Sequence, residues 1–283
     1  MLDRRAKNAE IFKDTEHMYR TNEKLQEVVK NSITNQKLIL GNDVVNYESI
    51  SERDGQVVVS GKRTLEASES YAKQGKRVCV LNFASATNPG GGVVHGSSAQ
   101  EEAICRCSTL YPCLNTKEMW NKFYVPHREA DNPLYNDDCI FTPVVKVFKA
   151  DTNFPEHLPE NEWWNVDIIT CAAPNLRKVP SNRMNPSAGS RKADVSYEEL
   201  KTLHRNRIQR IFELAIANKA EALILGAFGC GAFCNPPELV AEVFAEFTEK
   251  YRGCFDVIEY AVYHTERETA NYVAFKETME GLS

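Results

Sequence analysis

Short apolar runs alternate with longer amphipathic stretches along most of the chain. Residues 77–83, 139–148, 166–171, 222–227 and 257–262 each hold a brief, nearly continuous apolar run. Such runs are too short for a buried helix and read as strands covered on both faces. Leu38 to Leu40 and Gln56 to Val59 predict two shorter strands. The intervening segments carry helical periodicity: Thr64 to Gln74, Gln100 to about Ser108, Tyr197 to Asn218, Pro236 to about Lys250, and Asn271 to Glu280. In the longest of these, Leu200, Leu203, Ile208, Ile211, Phe212 and Ala215 fall on one side. Pro236 opens its helix near the first turn, where a missing N–H costs nothing. Strands alternating with helices predict an α/β fold. Arg5 to Lys30 is polar and helix-favouring, with Ile11, Met18, Leu25, Val28 and Val29 as its apolar stripe. We read residues 1–35 as an N-terminal helical extension packed on a main domain of residues 36–283. No linker splits the chain, and Pro174 to Asp194 predicts a long exposed loop.

Ligands of open α/β sheets bind beyond the carboxyl ends of the strands. Three loops there draw notice. The first, after Phe83, runs Asn88-Pro-Gly90-Gly91-Gly92 and on to Ser98. The second is Ala172-Ala173-Pro174-Asn175, and the third is Phe228-Gly229-Cys230-Gly231-Ala232-Phe233, leading into a helix. Glycines lack a Cβ, so their N–H groups approach an anion closely, and a helix N-terminus adds a positive dipole end. Two glycine-rich loops favour a diphosphate over a pair of plain turns. Neither contains Gly-Lys-Ser/Thr, which argues against a P-loop nucleotidase. Phe233 could wall in a ribose or base, or pack in the core.

Seven residues separate Gly92 from Gln100-Glu101-Glu102. Adjacent helical residues point about 100° apart, so one glutamate is expected to lead and the other to support. Acidic residues in a first turn also simply favour the dipole, but that does not account for their nearness to three glycines. Since the dipole stabilises the anion and a bound diphosphate opposes ionisation, protonation is expected in the substrate complex rather than in the free protein. Carboxylates beside a held diphosphate suit cleavage of a neighbouring sugar bond.

Composition adds limits. The net charge of −5 argues against general nucleic-acid binding and leaves room for a local basic patch. Nine cysteines, an odd number, fit no disulfide framework; Cys105-x-Cys107 and Cys230-x3-Cys234 lack the partners of a zinc site and read as small, mostly reduced residues. The start, Met1-Leu2-Asp3-Arg4-Arg5, has no apolar core of a signal peptide, and no run of 18 apolar residues exists. The expected compartment is the cytoplasm, or the nucleus in a eukaryote.

Asn82-Phe83-Ala84-Ser85-Ala86 through Gly90-Gly91-Gly92 and Gln100-Glu101-Glu102 resemble the motif of the poly(ADP-ribose) glycohydrolases of bacterial (microbial) type. Residues 143–148, 169–175, 225–233 and Asn271-x-x-Ala274-Phe275 are similar too, so the resemblance covers most of the chain. It implies a macrodomain-like three-layer α/β/α fold with a mixed, mostly parallel sheet. It implies hydrolysis of ribose–ribose O-glycosidic bonds, from the chain terminus, to release ADP-ribose. Glu102 would be the acid/base, Glu101 would orient ribose hydroxyls, and Gln100 would support the pair. Asn88, Gly90, Gly91 and Gly92 would contact the distal ribose and diphosphate. Gly229, Cys230, Gly231, Ala232 and Phe233 would cradle the diphosphate, with Phe233 against the distal ribose. Partners would be poly(ADP-ribose), ADP-ribose and ADP-ribosylated proteins, with no direct DNA or membrane binding, no cofactor and no metal.

Three other readings compete: an ADP-ribose-binding macrodomain without activity, a hydrolase of single ADP-ribose units, and a thiol or zinc hydrolase using Cys105, Cys107, Cys113 and His95. A pure reader has no need of Glu101 and Glu102. The adjacent pair also does not match the across-the-bond spacing of ordinary two-carboxylate glycosidases, which favours one carboxylate working with the substrate phosphates. Val93-Val94-His95 varies within the motif, and His95 reads as an exposed loop residue.

Overall fold

A computed structural model describes residues 3–48, 53–181 and 186–282. Residues 1–2 of the expected extension, 182–185 of the expected loop, and 49–52 and 283 of the expected main domain lie outside the described residues. The chain begins with α1 (Arg4–Thr21) and α2 (Glu23–Asn35), then β1 (Lys37–Ile39), β2 (Gln56–Ser60), α3 (Thr64–Lys73), β3 (Val78–Phe83) and α4 (Gln100–Cys107). Short helices α5 (Leu110–Leu114), α6 (Lys117–Met119) and α7 (Val125–Ala130) follow, then β4 (Cys139–Val147) and β5 (Trp164–Cys171). The chain closes with α8 (Tyr197–Ala217), β6 (Ala222–Leu225), α9 (Pro237–Tyr251), β7 (Val257–Ala261) and α10 (Ala270–Met279).

The strands form one seven-stranded sheet in the order β1-β4-β5-β3-β6-β7-β2. The five strands from β5 to β2 run parallel, while β4 is antiparallel to both β5 and β1. The sheet is therefore mixed and mostly parallel, with an apolar cluster on each face. On one face β-strand side chains pack against Ile208, Ile211 and Phe212 of α8, Phe244 of α9 and Phe275 of α10. On the other they meet Leu65 of α3, Ile104 of α4 and Phe12 of α1. This is the three-layer α/β/α arrangement expected.

Each strand read from the sequence is present, with ends moved by a residue or two. The expected single N-terminal helix is two. Asn22 sits between them in an extended conformation, and its side chain accepts from Leu25 N while its N–H caps the Met18 carbonyl. A short amide side chain at this position serves as the cap of a new helix instead of continuing the old one. The α5–α7 region was not read from the sequence.

β3 sets the position of the cleft. It pairs with β6 only from Val78 to Val80, but with β5 all the way to Phe83. Beyond Val80 the two parallel strands separate, and the loops after β3 and β6 face each other across the gap. The start of α1 closes one side of this region. Gly96, at a φ of +77°, lies against the Arg5 carbonyl so closely that a Cβ would come within 2.0 Å of that oxygen, and Asn8 Nδ2 donates to the Gly96 carbonyl at 3.1 Å. Gly96→Ala would force a side chain into the left-handed region, a cost of roughly 1–2 kcal/mol before the clash is counted. We expect it to lower the melting temperature and to make α1 more open to limited proteolysis, both read on the purified protein.

Candidate active site

A cleft of about 850 Å³ opens where β3 and β6 part. One wall carries Gly91, Gly92 and the start of α4 with Gln100, Glu101 and Glu102; the other carries Gly229, Gly231, Ala232 and Phe233. The first and third loops expected from the sequence thus face one cavity. Asn88, Gly90 and Cys230 lie behind these walls.

Gln100 joins α4 to the sheet. Its Nε2 donates to the Leu81 carbonyl at 2.7 Å and its Oε1 accepts from Phe83 N at 2.9 Å. These are backbone groups on the side of β3 that faces β6, so the Gln100 amide takes the place of the missing strand. Nε2 also reaches Thr64 Oγ1 at 3.2 Å. Gln100 therefore supports the pair that follows it, and both ends of its amide are committed to the protein.

Glu101 and Glu102 are both buried, at 3% and 7% exposure. Glu101 points back toward β3, where Oε2 accepts from Ser85 N at 2.8 Å and Oε1 lies 3.4 Å from Asn82 Nδ2. Gly90 N–H is a further donor to it. Glu102 Oε1 accepts from Gly92 N at 2.9 Å, and Oε2 has no hydrogen-bond partner among the described residues. The expected leading and supporting roles thus acquire a geometric basis: Glu101 is tied down on both oxygens and Glu102 on one.

Burial pushes the Glu101 carboxyl well above the usual carboxylate range, and neighbouring Glu102 pushes the same way. Burial also raises Glu102, against the opposing pull of Gly92 N–H and of Arg106. Burial thus already raises both carboxyls in the protein alone, before any diphosphate is bound. A helix N-terminus contributes about 0.3–1 kcal/mol toward the anion, whereas removing a carboxylate from water costs several kcal/mol. Burial wins.

The first glycine cluster also differs from expectation. It was read as an anion cradle, yet its N–H groups are occupied: Gly90 on Glu101, Gly91 on the Asn88 carbonyl at 3.1 Å, and Gly92 on Glu102. The need for glycine is steric as well. At Gly91, with φ of +57°, a Cβ would lie 2.6 Å from Glu102 Oε1 and 3.1 Å from Glu101 Oε2. Arg128 braces the turn before it, donating to the Thr87 carbonyl and to Asn88 Oδ1 while stacking on Trp120.

The third loop is the better anion cradle. Cys230, Cys234 and Asn235 spend their N–H groups on carbonyls inside the loop, whereas those of Gly231, Ala232 and Phe233 donate to no acceptor among the described residues. A Cβ on Gly231 would meet nothing within 4 Å. Gly229, at φ of +77°, packs against Ala173 of the second loop and against Asn235. Asn235 Nδ2 bonds both the Gly229 and Pro174 carbonyls, and buried His204 of α8 holds Asn235 Oδ1 at 2.9 Å. Fully buried Arg207 fixes the second loop through the Ala172 carbonyl at 3.0 Å. Phe233 is half-buried against Tyr135 and lines the cleft.

Residues missed by sequence reasoning include four arginines on the cleft walls: Arg4, Arg5, Arg63 and Arg177. None lies within 4 Å of a carboxylate among the described residues. Their spacing in the sequence carries no signal; the fold alone gathers them. Tyr263, at the end of β7 and stacked under Arg63 at 4.0 Å, lines the cleft two strands away from β3. Cys105, Cys107 and Cys113 are buried, His95 is exposed, and no group of three or more metal-ligating side chains occurs among the described residues.

The family model described as "Microbial-type PARG, catalytic domain" matches residues 6–150, a span that includes the first glycine loop and both glutamates. Among solved structures, the chain is similar to a poly(ADP-ribose) glycohydrolase from Thermomonospora curvata, at 27% identity over 97% of this chain and 100% of that one, with a TM-score of 0.79. The same enzyme bound to the inhibitor ADP-HPD matches at 27% identity over 96% and 99%, also with a TM-score of 0.79. The enzyme from Deinococcus radiodurans in complex with ADP-ribose matches at 28% identity over 90% and 97%, with a TM-score of 0.74. No curated protein matches the chain.

The raised carboxyl of Glu101 has a consequence for stability. A carboxyl whose value rises on folding costs nothing below its unfolded value, and opposes folding progressively as pH climbs from there to the folded value. Glu101→Gln removes that opposition. We expect the variant to gain thermal stability relative to the native protein as pH rises from 4.5 to 8, and to show no gain below pH 4, in melts recorded across that range.

Proposed function

The chain belongs to the microbial-type PARG catalytic-domain family, and on that premise we propose how its cleft divides the work. The protein is a poly(ADP-ribose) glycohydrolase. The observation that carries the assignment of roles is the unpaired, buried Oε2 of Glu102, in a carboxyl that burial pushes up. Glu102 gives this proton to the leaving ribose oxygen as the glycosidic C–O bond breaks and the departing sugar carbon becomes oxocarbenium-like. The resulting carboxylate then takes a proton from water as the water oxygen bonds to that carbon, which restores the acid. Glu101, fixed by Ser85 and Asn82, orients ribose hydroxyls.

The diphosphate belongs in the Gly229–Phe233 loop. Its support is the set of uncommitted N–H groups at Gly231, Ala232 and Phe233, with Phe233 against the distal ribose. Gly91 and Gly92 line the ribose side, Gln100 shapes the same wall by fixing α4 to β3, and Asn88, Gly90 and Cys230 shape the two loops without lining the cleft. Closure of one side by the first turn of α1 supports cleavage from the chain terminus. All nine cysteines are unpaired, the pattern of a reducing compartment, which supports action on ADP-ribosylated proteins in the cytoplasm. No helix among the described residues is long and apolar enough to cross a membrane.

Glu102→Ala is expected to abolish release of ADP-ribose from poly(ADP-ribose) while leaving ADP-ribose binding intact by calorimetry, because the diphosphate loop is untouched. Loss of binding in a folded variant would contradict these roles. The unpaired arginines add an electrostatic expectation: KM for the polymer should rise with ionic strength while kcat holds, since screening weakens attraction of a polyanion without reaching buried Glu102. A steady-state titration with salt reads this directly, and a KM that stays flat from low salt to high would count against it.

A further inference from the structure

Arg106 lies one helical turn beyond Glu102 on α4 and is buried, with 4% exposure. Its NH1 donates to the Ser97 carbonyl at 2.5 Å. Ser97 N–H in turn donates to the Gly92 carbonyl at 3.2 Å, and Gly92 N–H donates to Glu102 Oε1 at 2.9 Å. The helix between Glu102 and Arg106 closes the ring. α1 fixes it from outside, because Thr15 Oγ1 donates to the Arg106 carbonyl at 2.6 Å. The cationic group thus holds the loop that holds the glutamate.

We propose that Arg106 is a positioning residue for the glycohydrolase reaction, keeping Gly92 on Glu102 Oε1 so that Oε2 faces the scissile bond, and stabilising the carboxylate left after proton transfer. This rests on Glu102 being the acid. The ring fixes which oxygen is free, and the positive charge strengthens Glu102 as an acid. A neutral donor at residue 106 would serve the first task and not the second.

The charged and titratable groups around this pair come from four elements. Glu101 and Cys105 share α4 with it. Asp151, in the segment after β4, lies near Arg106, and Arg63 at the start of α3 faces Asp151. Arg4 and Arg5 approach from α1. Asp151 draws on the same guanidinium as Glu102, so neutralising it leaves more of that charge acting on the glutamate.

The test compares Arg106→Gln, Arg106→Lys and Glu102→Ala, using turnover of poly(ADP-ribose) against pH and ADP-ribose binding by calorimetry. We expect kcat of Arg106→Gln to fall about 100-fold, the scale of removing one group that stabilises charge in the transition state, with ADP-ribose affinity unchanged. The alkaline limb of its pH profile should move to higher pH, because a weaker acid stays protonated longer, and Arg106→Lys should move the limb back. A merely structural role would lower the amount of folded protein without moving the limb. Asp151→Asn offers a route that leaves Arg106 in place, and it should shift the limb to lower pH. A native-like limb in both Arg106→Gln and Asp151→Asn, with Glu102→Ala inactive, overturns the role of Arg106 and spares that of Glu102. An active Glu102→Ala overturns the reading on which it rests.

Discussion

Two carboxyl groups from consecutive residues, both out of water, oppose folding unless hydrogen-bond donors reach them or protons neutralise them. This protein uses both means, and much of its cleft follows from the geometry they require. Most of the donors come from backbone: Ser85 N reaches Glu101 and Gly92 N reaches Glu102, with the Asn82 side chain as a further, longer contact to Glu101. Gly91 leaves the room that a Cβ would take from both glutamates. The desolvation that remains pushes both carboxyls up, toward the protonated state that a general acid requires. A cost to folding and a condition for chemistry are here the same physical fact.

The two glycine-rich loops look alike in sequence and differ in what their N–H groups do. In the first they are turned inward to the glutamates. In the third, three of them stay uncommitted along the cleft. The difference arises from what lies behind each loop. α4 begins within reach of the first and presents carboxylates to it. The third is backed by Asn235, which donates to its Gly229 carbonyl and is held in turn by His204 and by the Pro174 carbonyl of the second loop, so that the donors of Gly231, Ala232 and Phe233 stay uncommitted. A cradle for an anion needs a rigid back as much as free donors, and α8 supplies that rigidity through His204 and Arg207.

The central strands were legible because each is a nearly continuous apolar run, and burial on both faces demands that composition, while the edge strands β1 and β2 are only partly buried. Their order in the sheet was not read from the runs, and neither was the parting of β3 from β6 that makes the cleft. Gln100 shows the limit well. Its place before two glutamates marked it as a supporting residue, but its function as a substitute strand partner depends on β6 ending where it does. Glu101 and Glu102 stood out by type and spacing, whereas their burial came from packing, and burial raises both carboxyls where the sequence reading weighed only the helix dipole and a bound diphosphate. The break at Asn22 was missed because one polar residue in a polar helix carries little periodic signal. The α5–α7 segment was missed because α5 is short and α6 runs into α7 through a π-helical stretch, Trp120–Tyr124, which breaks the regular repeat of an apolar face.

The N-terminal helices read from the sequence as an addition to a main domain, yet α1 is built into the cleft. Lys149 is almost wholly buried after β4, and its Nζ bonds the Ile11 carbonyl and Thr15 Oγ1 while pairing with Asp14. A buried cation with no partner would be strongly unfavourable, so α1 must dock wherever Lys149 is folded inside. Docking brings Arg4, Arg5 and Asn8 to the cleft and sets Thr15 on the Arg106 carbonyl. The same helix therefore gives an acidic chain of net charge −5 part of its cationic cleft wall and secures the turn that carries Glu102. A protein that must attract a polyanion to two carboxylates faces an electrostatic conflict. Here it is resolved by separation: the glutamates are buried, with burial raising both carboxyls, and the guanidiniums of Arg4 and Arg5 stand exposed at the entrance.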